Sequence, residues 1–323
     1  MAIKTTFMDK LYADLKNYGD LKLNTPFSKL TTFAVGGPAQ YLVNVTDSTK
    51  LVDLLNYLNG EGVNYFIIGG GSNLLMPDAG IEGVTIKLQT PKIELFGNTI
   101  VAEAGTQLGA VVNLAFKSSL AGLEWAVGIP GTVGGAVRGN AGAMGLDIAR
   151  SISKVEIWRD GEMVEIQNPD CKFGYRESLF KFNKDVVLRA WFELQPGDKT
   201  EIMGRAQDYM KHRTGRYPHF PSAGSFFKNI KMTKWPGDIK ELPELFQQRG
   251  TVPVGWVMEQ LNLKGLAIGG AKISDEHGNF IVNFNEAKQT DVLKIMEIMK
   301  EKAYDKFKVE LEPEVEIVEK INI

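Results

Sequence analysis

The chain has 323 residues, of which 44% are hydrophobic and 24% charged, with a net charge of −2. That near-neutral balance gives no general attraction to nucleic acid or to an anionic membrane, so an anionic ligand must be held by a local cluster of cations. The single cysteine, Cys171, excludes an internal disulfide and a thiolate metal cage, and His212, His219 and His277 lack metal-ligand spacing, so no metal is expected.

The length predicts two or three domains. Near the start, Lys4, Asp9, Lys10 and Asp14 interrupt what a signal peptide needs as an apolar run, and no later stretch matches a membrane span, so the expected location is the cytoplasm. Phe7, Met8, Leu11, Tyr12 and Leu15 fall on one helical face. Tyr41 to Val45 reads as a strand after the Gly36-Gly37-Pro38 interruption. Asp47 or Ser48 can cap a helix with Leu51, Leu54, Leu55 and Leu58 on its inner face and Gly60 at its end. A strand from Val63 to Ile68 completes a βαβ-like unit, with a glycine loop at the strand's carboxyl end, where open α/β sheets hold ligands.

Strand character returns at Val84 to Leu88. Gly97-Asn98 and Asp160-Gly161 each separate two strand-like runs and predict two-residue hairpins. Gln107 to Leu120 reads as a helix and Val186 to Leu194 as a strand. Gln195-Pro196-Gly197-Asp198 reads as a linker, followed by helices over Lys199 to Arg213 and Val254 to Leu263 and a strand over Asn279 to Phe284. Thr290 is positioned to cap a long helix with Val292, Ile295, Met296, Met299 and Ala303 inward. The chain closes on an alternating stretch, Lys308 to Val318, broken by Pro313.

Two glycine-rich stretches organise the rest. Gly128 to Gly145 contains many glycines, one proline and one charge, a composition poorly suited to helix or ordinary strand. Its peptide N–H groups are expected to line a concavity that takes a phosphate or a flat ring. Gly69-Gly70-Gly71-Ser72-Asn73 follows the Phe66 to Ile68 run in the manner of a phosphate loop. Leu74 stands where the dinucleotide fingerprint needs its third glycine, and no Gly-Lys-Ser/Thr follows, so neither common nucleotide motif is matched. Read alone, Ser225 is a turn or cap residue, Arg176 a surface ion-pair residue and Glu314 an edge-strand carboxylate.

Together with Thr31 to Ala39, Tyr175 to Phe180, Ser222 to Asn229 and Leu311 to Val315, these loops resemble, in order and over nearly the whole chain, the bacterial UDP-N-acetylenolpyruvoylglucosamine reductases. The resemblance implies an α+β protein: a two-subdomain FAD-binding fold of the vanillyl-alcohol oxidase (PCMH) type plus a C-terminal α+β substrate-binding domain. The implied divisions are 1–88, with 306–323 returning to it, 89–200 and 201–305. It further implies FAD and NADPH as cofactors, a UDP-sugar substrate, and a monomer with no nucleic-acid or membrane partner.

By the same resemblance, Ser225 is the proton donor, Arg176 meets the substrate carboxylate and Glu314 is the active-site glutamate. FAD would be held by Ile68, Gly69, Gly70, Gly71, Ser72, Asn73 and Leu74 in one loop and by Gly131, Thr132, Val133, Gly135, Asn140, Ala141 and Gly142 in the other. Tyr175, Arg216, Lys228 and Asn229 would contact the substrate, with Arg213 and Lys264 as further cations for its diphosphate. The chain departs from the family pattern in carrying Glu316 where arginine is frequent, Ile230 in place of a proline and Met144 in place of an aromatic. It also lacks the Tyr-Gly-Asp insertion of one subgroup.

Overall fold

The computed structural model describes residues 10–215 and 217–319. Residues 10–15 are helical and bury Leu11 and Leu15, while Tyr12, expected inward, is exposed; Phe7 and Met8 lie outside the described residues. The first sheet has four strands in the order Asp20–Pro26, Pro38–Val45, Ile81–Leu88, Tyr65–Ile68. Only the first pairing is antiparallel. The crossover helix Ser48–Gly60 begins where the sequence places it: the Asp47 carboxylate accepts from Thr49 N and Lys50 N at 2.7 and 3.1 Å. Leu51, Leu54, Leu55 and Leu58, spaced for one face, are all buried against the sheet.

The second sheet has five antiparallel strands, Glu162–Gln167, Ile152–Arg159, Val186–Glu193, Thr99–Glu103 and Ile93–Phe96 in spatial order. Both predicted hairpins form, with Phe96 opposite Thr99 and Arg159 opposite Glu162. Asp160 and Gly161 take the positive φ angles, 49° and 99°, that a tight two-residue turn requires. Residues from both sheets form one continuous buried core. The helix Lys199–Arg213 adds Ile202 and Ala206 to that core, so it packs with the core the two sheets share rather than with the C-terminal part of the chain. The linker-like Gln195-Pro196 pairs with Leu120–Ala121 as a two-residue ladder.

One expectation is corrected in the larger glycine stretch. Val133–Gly139 is helical, ended by Asn140 in the left-handed conformation. Gly134 serves packing: a Cβ added there would lie 2.9 Å from Ala104 Cβ, so the helix approaches the Ala104 backbone as only glycine allows.

A separate core is built around the three-stranded sheet of Ala267–Ile268, Ala271–Ile273 and Ile281–Asn283 and the helices Val254–Gln260 and Gln289–Phe307. Thr290 does not cap the long helix. Asp78, from the first lobe, accepts from Gln289 N at 2.6 Å and Thr290 N at 3.2 Å, while Asp291 accepts from Lys288 N at 3.1 Å. A carboxylate at a helix N-terminus meets free N–H groups and the positive end of the dipole, which a hydroxyl cannot match in charge. The closing stretch is strand only at Glu316–Ile317, which runs parallel to Leu74–Leu75, and bridges Phe227 at Pro313.

Candidate active site

The turn Gly174 to Glu177 is closed by mutual backbone hydrogen bonds of 2.9 and 3.1 Å, which places Arg176 at φ 60°. A non-glycine residue in this region is unusual, and here it directs the guanidinium inward. Arg176 Nε donates to Glu314 Oε1 at 2.5 Å and Nη2 donates to the carbonyl of Gly142 at 2.7 Å. Both side chains of the pair are largely buried. The ring of Tyr175 lies 5.2 Å from the guanidinium carbon of Arg176. Burial, then the nearby Glu314 charge, pushes the Tyr175 phenol above its usual range.

Glu314 is fixed from the other side. Its N–H donates to Phe226 O at 2.8 Å, and Lys228 N donates to Glu312 O at 2.9 Å. Together with the Phe227–Pro313 bridge, these bonds lay the Ser225-Phe226-Phe227-Lys228 segment along the chain that carries Glu314. Ser225, half-buried, is thereby next to residues backbone-bonded to Glu314, and its hydroxyl has no hydrogen-bond partner among the described residues. Sequence reading misses the residue that holds this segment. Asn279, buried, accepts from Phe227 N at 3.0 Å and donates to Phe227 O at 2.8 Å, while its own carbonyl accepts from Phe226 N at 2.7 Å. Its signal in the sequence is faint: a polar residue opening an apolar run.

The expected substrate residues divide. Lys228 is nearly buried and paired, at 3.0 Å with Glu177 and more closely with Glu312. Burial would lower the pKa of its ammonium, but the two carboxylates outweigh that, and the net shift is upward. Asn229 Oδ1 accepts from Val254 N at 3.3 Å. Arg213 is buried, with Nη2 donating to Trp125 O at 3.2 Å, and Lys264 pairs on the surface with Glu259 at 3.3 Å, so neither joins the Arg176 cluster. Arg216 lies outside the described residues. Lys181, which the sequence did not single out, lies in the field of Glu316, Arg138, Lys228 and Glu314, and burial holds its ammonium below the ordinary lysine range.

The two glycine loops meet. A Cβ added at Gly70 would lie 2.7 Å from Gly131 Cα, and one at Gly69 would lie 2.3 Å from Thr132 Oγ1. Ser72 Oγ donates to Pro130 O at 3.3 Å. Asn73 Nδ2 donates to the Glu314 carbonyl at 3.0 Å, joining the first loop to the segment that carries Glu314 and whose Glu316 pairs with Leu74. Ile68 and Val133 are buried, so what they offer a ligand is backbone. Asn140 is buried, its amide donating to Gly174 O at 2.7 Å and accepting from Ala149 N at 3.2 Å. It holds the Arg176 turn against the second loop, where Ala141 and Gly142 follow.

These residues fit a flavin dinucleotide. Among the described residues the N–H groups from Gly70 to Asn73 donate to no group, as a diphosphate cradle requires, and the buried Thr132 Oγ1 between the loops has no partner. Among the described residues no helix is long and apolar enough to cross a membrane.

Comparison with known proteins agrees with this geometry. Residues 216–318 match the family model described as UDP-N-acetylenolpyruvoylglucosamine reductase, C-terminal domain, and residues 39–167 match an FAD binding domain. The UDP-N-acetylenolpyruvoylglucosamine reductase of Caldanaerobacter subterraneus subsp. tengcongensis is 38% identical over 314 residues, covering 96% of this chain and 97% of that protein. That of Clostridium novyi is 36% identical over 323 residues, covering 98% of each. The crystal structure of the Thermus caldophilus enzyme of the same name superposes with a TM-score of 0.76 at 32% identity, over 93% of this chain and 99% of that one. With relatives this similar along almost its entire length, and with both halves of the fold matched, the chain belongs to the UDP-N-acetylenolpyruvoylglucosamine reductase family.

Proposed function

We propose that this protein is a flavin-dependent reductase that converts UDP-N-acetylenolpyruvoylglucosamine to UDP-N-acetylmuramate, a precursor of peptidoglycan, with NADPH as the electron source. The observation that carries the reading is the Arg176–Glu314 contact, bonded on one side to the second glycine loop and on the other to the segment bearing Ser225. When bound, FAD supplies the hydride for the enolpyruvyl methylene carbon.

The chain's own residues then account for position, charge and the proton. Arg176 has Nε and Nη2 engaged by Glu314 and Gly142, which fixes the guanidinium plane and leaves Nη1 to meet the substrate carboxylate. A permanent planar cation suits a carboxylate that gains electron density as it becomes enediolate-like. Glu314 orients that cation. The Ser225 hydroxyl donates its proton to the carbon beside the carboxylate; so weak an acid serves only because the acceptor is carbanion-like and far more basic. Tyr175, Lys228 and Asn229 border the same place, and with Arg216 they are assigned to the sugar nucleotide. The reading places the protein in the cytoplasm, acting on a small molecule as a monomer.

The test is spectroscopic. The flavin of the purified protein is bleached anaerobically with NADPH, and the enolpyruvyl sugar nucleotide is then added. Return of the yellow colour is expected in the wild type. In Ser225→Ala the bleaching should persist unchanged while the return is lost. A wild-type flavin that stays bleached in the presence of the sugar nucleotide would sink the assignment.

A further inference from the structure

The segments carrying Arg176 and Glu314 are joined a second time, behind the contact between those two side chains. Arg138, in the glycine helix, donates through Nη1 and Nη2 to the two oxygens of Glu316, the Nη2–Oε1 distance being 2.9 Å. The carbonyl of the same residue accepts from Ser178 Oγ at 2.7 Å. Ser178 stands two residues after Arg176, and Glu316 two residues after Glu314. A closed ring results: Arg176 to Glu314, along the strand to Glu316, across to Arg138, then through Ser178 back to Arg176. Two residues of chain span at most about 7 Å, so a shift at either rung is felt at the other.

The strand arm of this ring is also stitched to the first glycine loop, since Glu316 N donates to Asn73 O at 3.0 Å. Arg138 itself belongs to the helix that starts at Val133, beside Thr132 of the second loop. As a stabilising contact the pair is unremarkable, because about a third or more of each side chain is exposed and exposed ion pairs contribute little to folding. Its geometry is another matter: a bidentate arginine–carboxylate contact fixes distance and orientation together.

We propose that Arg138 is a positioning residue for the reaction, holding the Arg176 turn and the Glu314 strand in register with each other and with the flavin cradle through its contacts to Ser178 and Glu316. The proposal rests on the reading of Arg176 and Glu314 as the catalytic pair. The Lys181 ammonium also feels the charges of Glu316 and Arg138. Neutralising Glu316 alone therefore leaves the Arg138 charge unanswered in a field that already holds a second cation, and the decisive variant is the exchange of charges.

Arg138→Met, Glu316→Gln and the double variant Arg138→Glu with Glu316→Arg are to be compared as flavin-loaded proteins. Each single variant should lose about tenfold in kcat, the scale expected when a reacting group is displaced by a fraction of an ångström. Flavin content should stay at the wild-type level and the melting temperature within about 2 °C of it, as for loss of an exposed ion pair. The double variant should regain most of the lost kcat. Wild-type kcat in the single variants, or a loss in kcat that tracks loss of flavin or of melting temperature and is not regained by the exchange, overturns the proposal. Arg176→Met and Glu314→Gln run in parallel separate the two levels. Loss of turnover in these but not in the Arg138 and Glu316 variants refutes the positioning role alone. Full turnover in these as well refutes the catalytic pair.

Discussion

Cys171 sits at zero exposure, its thiol directed at the Gln167 carbonyl 3.5 Å away. Burial, helped by Asp170, pushes the thiol up to about 11 from an ordinary value near 9. The folded state therefore holds the proton over a range in which the unfolded chain has released it. The stabilising effect is whole below pH 9 and fades as pH rises toward 11. At pH 8 a disulfide reagent should modify the native protein at least about a hundredfold more slowly than the urea-unfolded chain, in line with a shift of two pH units in thiolate population. Between pH 9 and 11 the loss of stability on raising pH should be shallower in Cys171→Ala. Equal labelling rates in the native and unfolded states would show that the thiol is open to solvent. At this scale the sequence is informative about residue type and poor about partners. A lone cysteine can be read as non-ligating, but nothing local shows that Arg176 meets a carboxylate 138 positions away, or that Glu316 has a cation on the glycine helix to answer it. Ion pairs formed by folding have no sequence period to betray them.

At the scale of elements, glycine content misleads about conformation while pointing to the right place. The second loop reads from its composition as irregular throughout, yet Val133–Gly139 is helical because tertiary contact with Ala104 outweighs the helix cost of glycine, about 1 kcal/mol per residue. Turn chemistry transmits faithfully by contrast, since Gly97-Asn98 and Asp160-Gly161 each specify a two-residue loop, and Gly97, Asp160 and Gly161 take positive φ angles that few other residues tolerate. The meeting of the two loops can be tested at Gly70. The neighbour that a methyl group there would strike is the Gly131 backbone, which has no flexible end to swing away. Gly70→Ala should force the loops apart and release FAD, seen as loss of visible absorbance after gel filtration, while far-UV circular dichroism stays native. Gly109→Ala, in the exposed face of the helix Leu108–Lys117 with nothing within 4 Å, should keep its flavin and gain about 0.5–1 kcal/mol. Full flavin retention in Gly70→Ala would mean that the loops have slack and that their contact does not define the cradle.

For the molecule as a whole, sequence order and core membership part company. Phe33, Val35 and Leu75 belong by position to the N-terminal lobe, yet they are buried in the core of the third, among Val254, Val257, Met296 and Met299. The same boundary carries directed bonds: Thr32 Oγ1 donates to Ser222 O at 2.8 Å, and Asn283 Nδ2 donates to Ala34 O at 2.9 Å. The Thr31 to Ala39 stretch thus docks the lobe that bears Ser225 onto the lobe that holds the first glycine loop. No helical or strand periodicity marks such a segment, which is why the sequence shows it only as an interruption. If this docking sets the stability of the third lobe, Phe33→Ala, which empties a fully buried ring site, should cost about 3–5 kcal/mol there and little elsewhere. Amide hydrogen exchange distinguishes a local effect from a global one, because opening free energies differ between cooperative units. In the variant, the helix Val254–Gln260 and the inner face of Gln289–Phe307 should exchange about a hundredfold or more faster. The strands Ile152–Arg159 and Val186–Glu193, in the other core, should keep their protection. An equal loss of protection in all four segments would show that the cores unfold as one unit, and that Phe33 stabilises the whole chain rather than the lobe it enters.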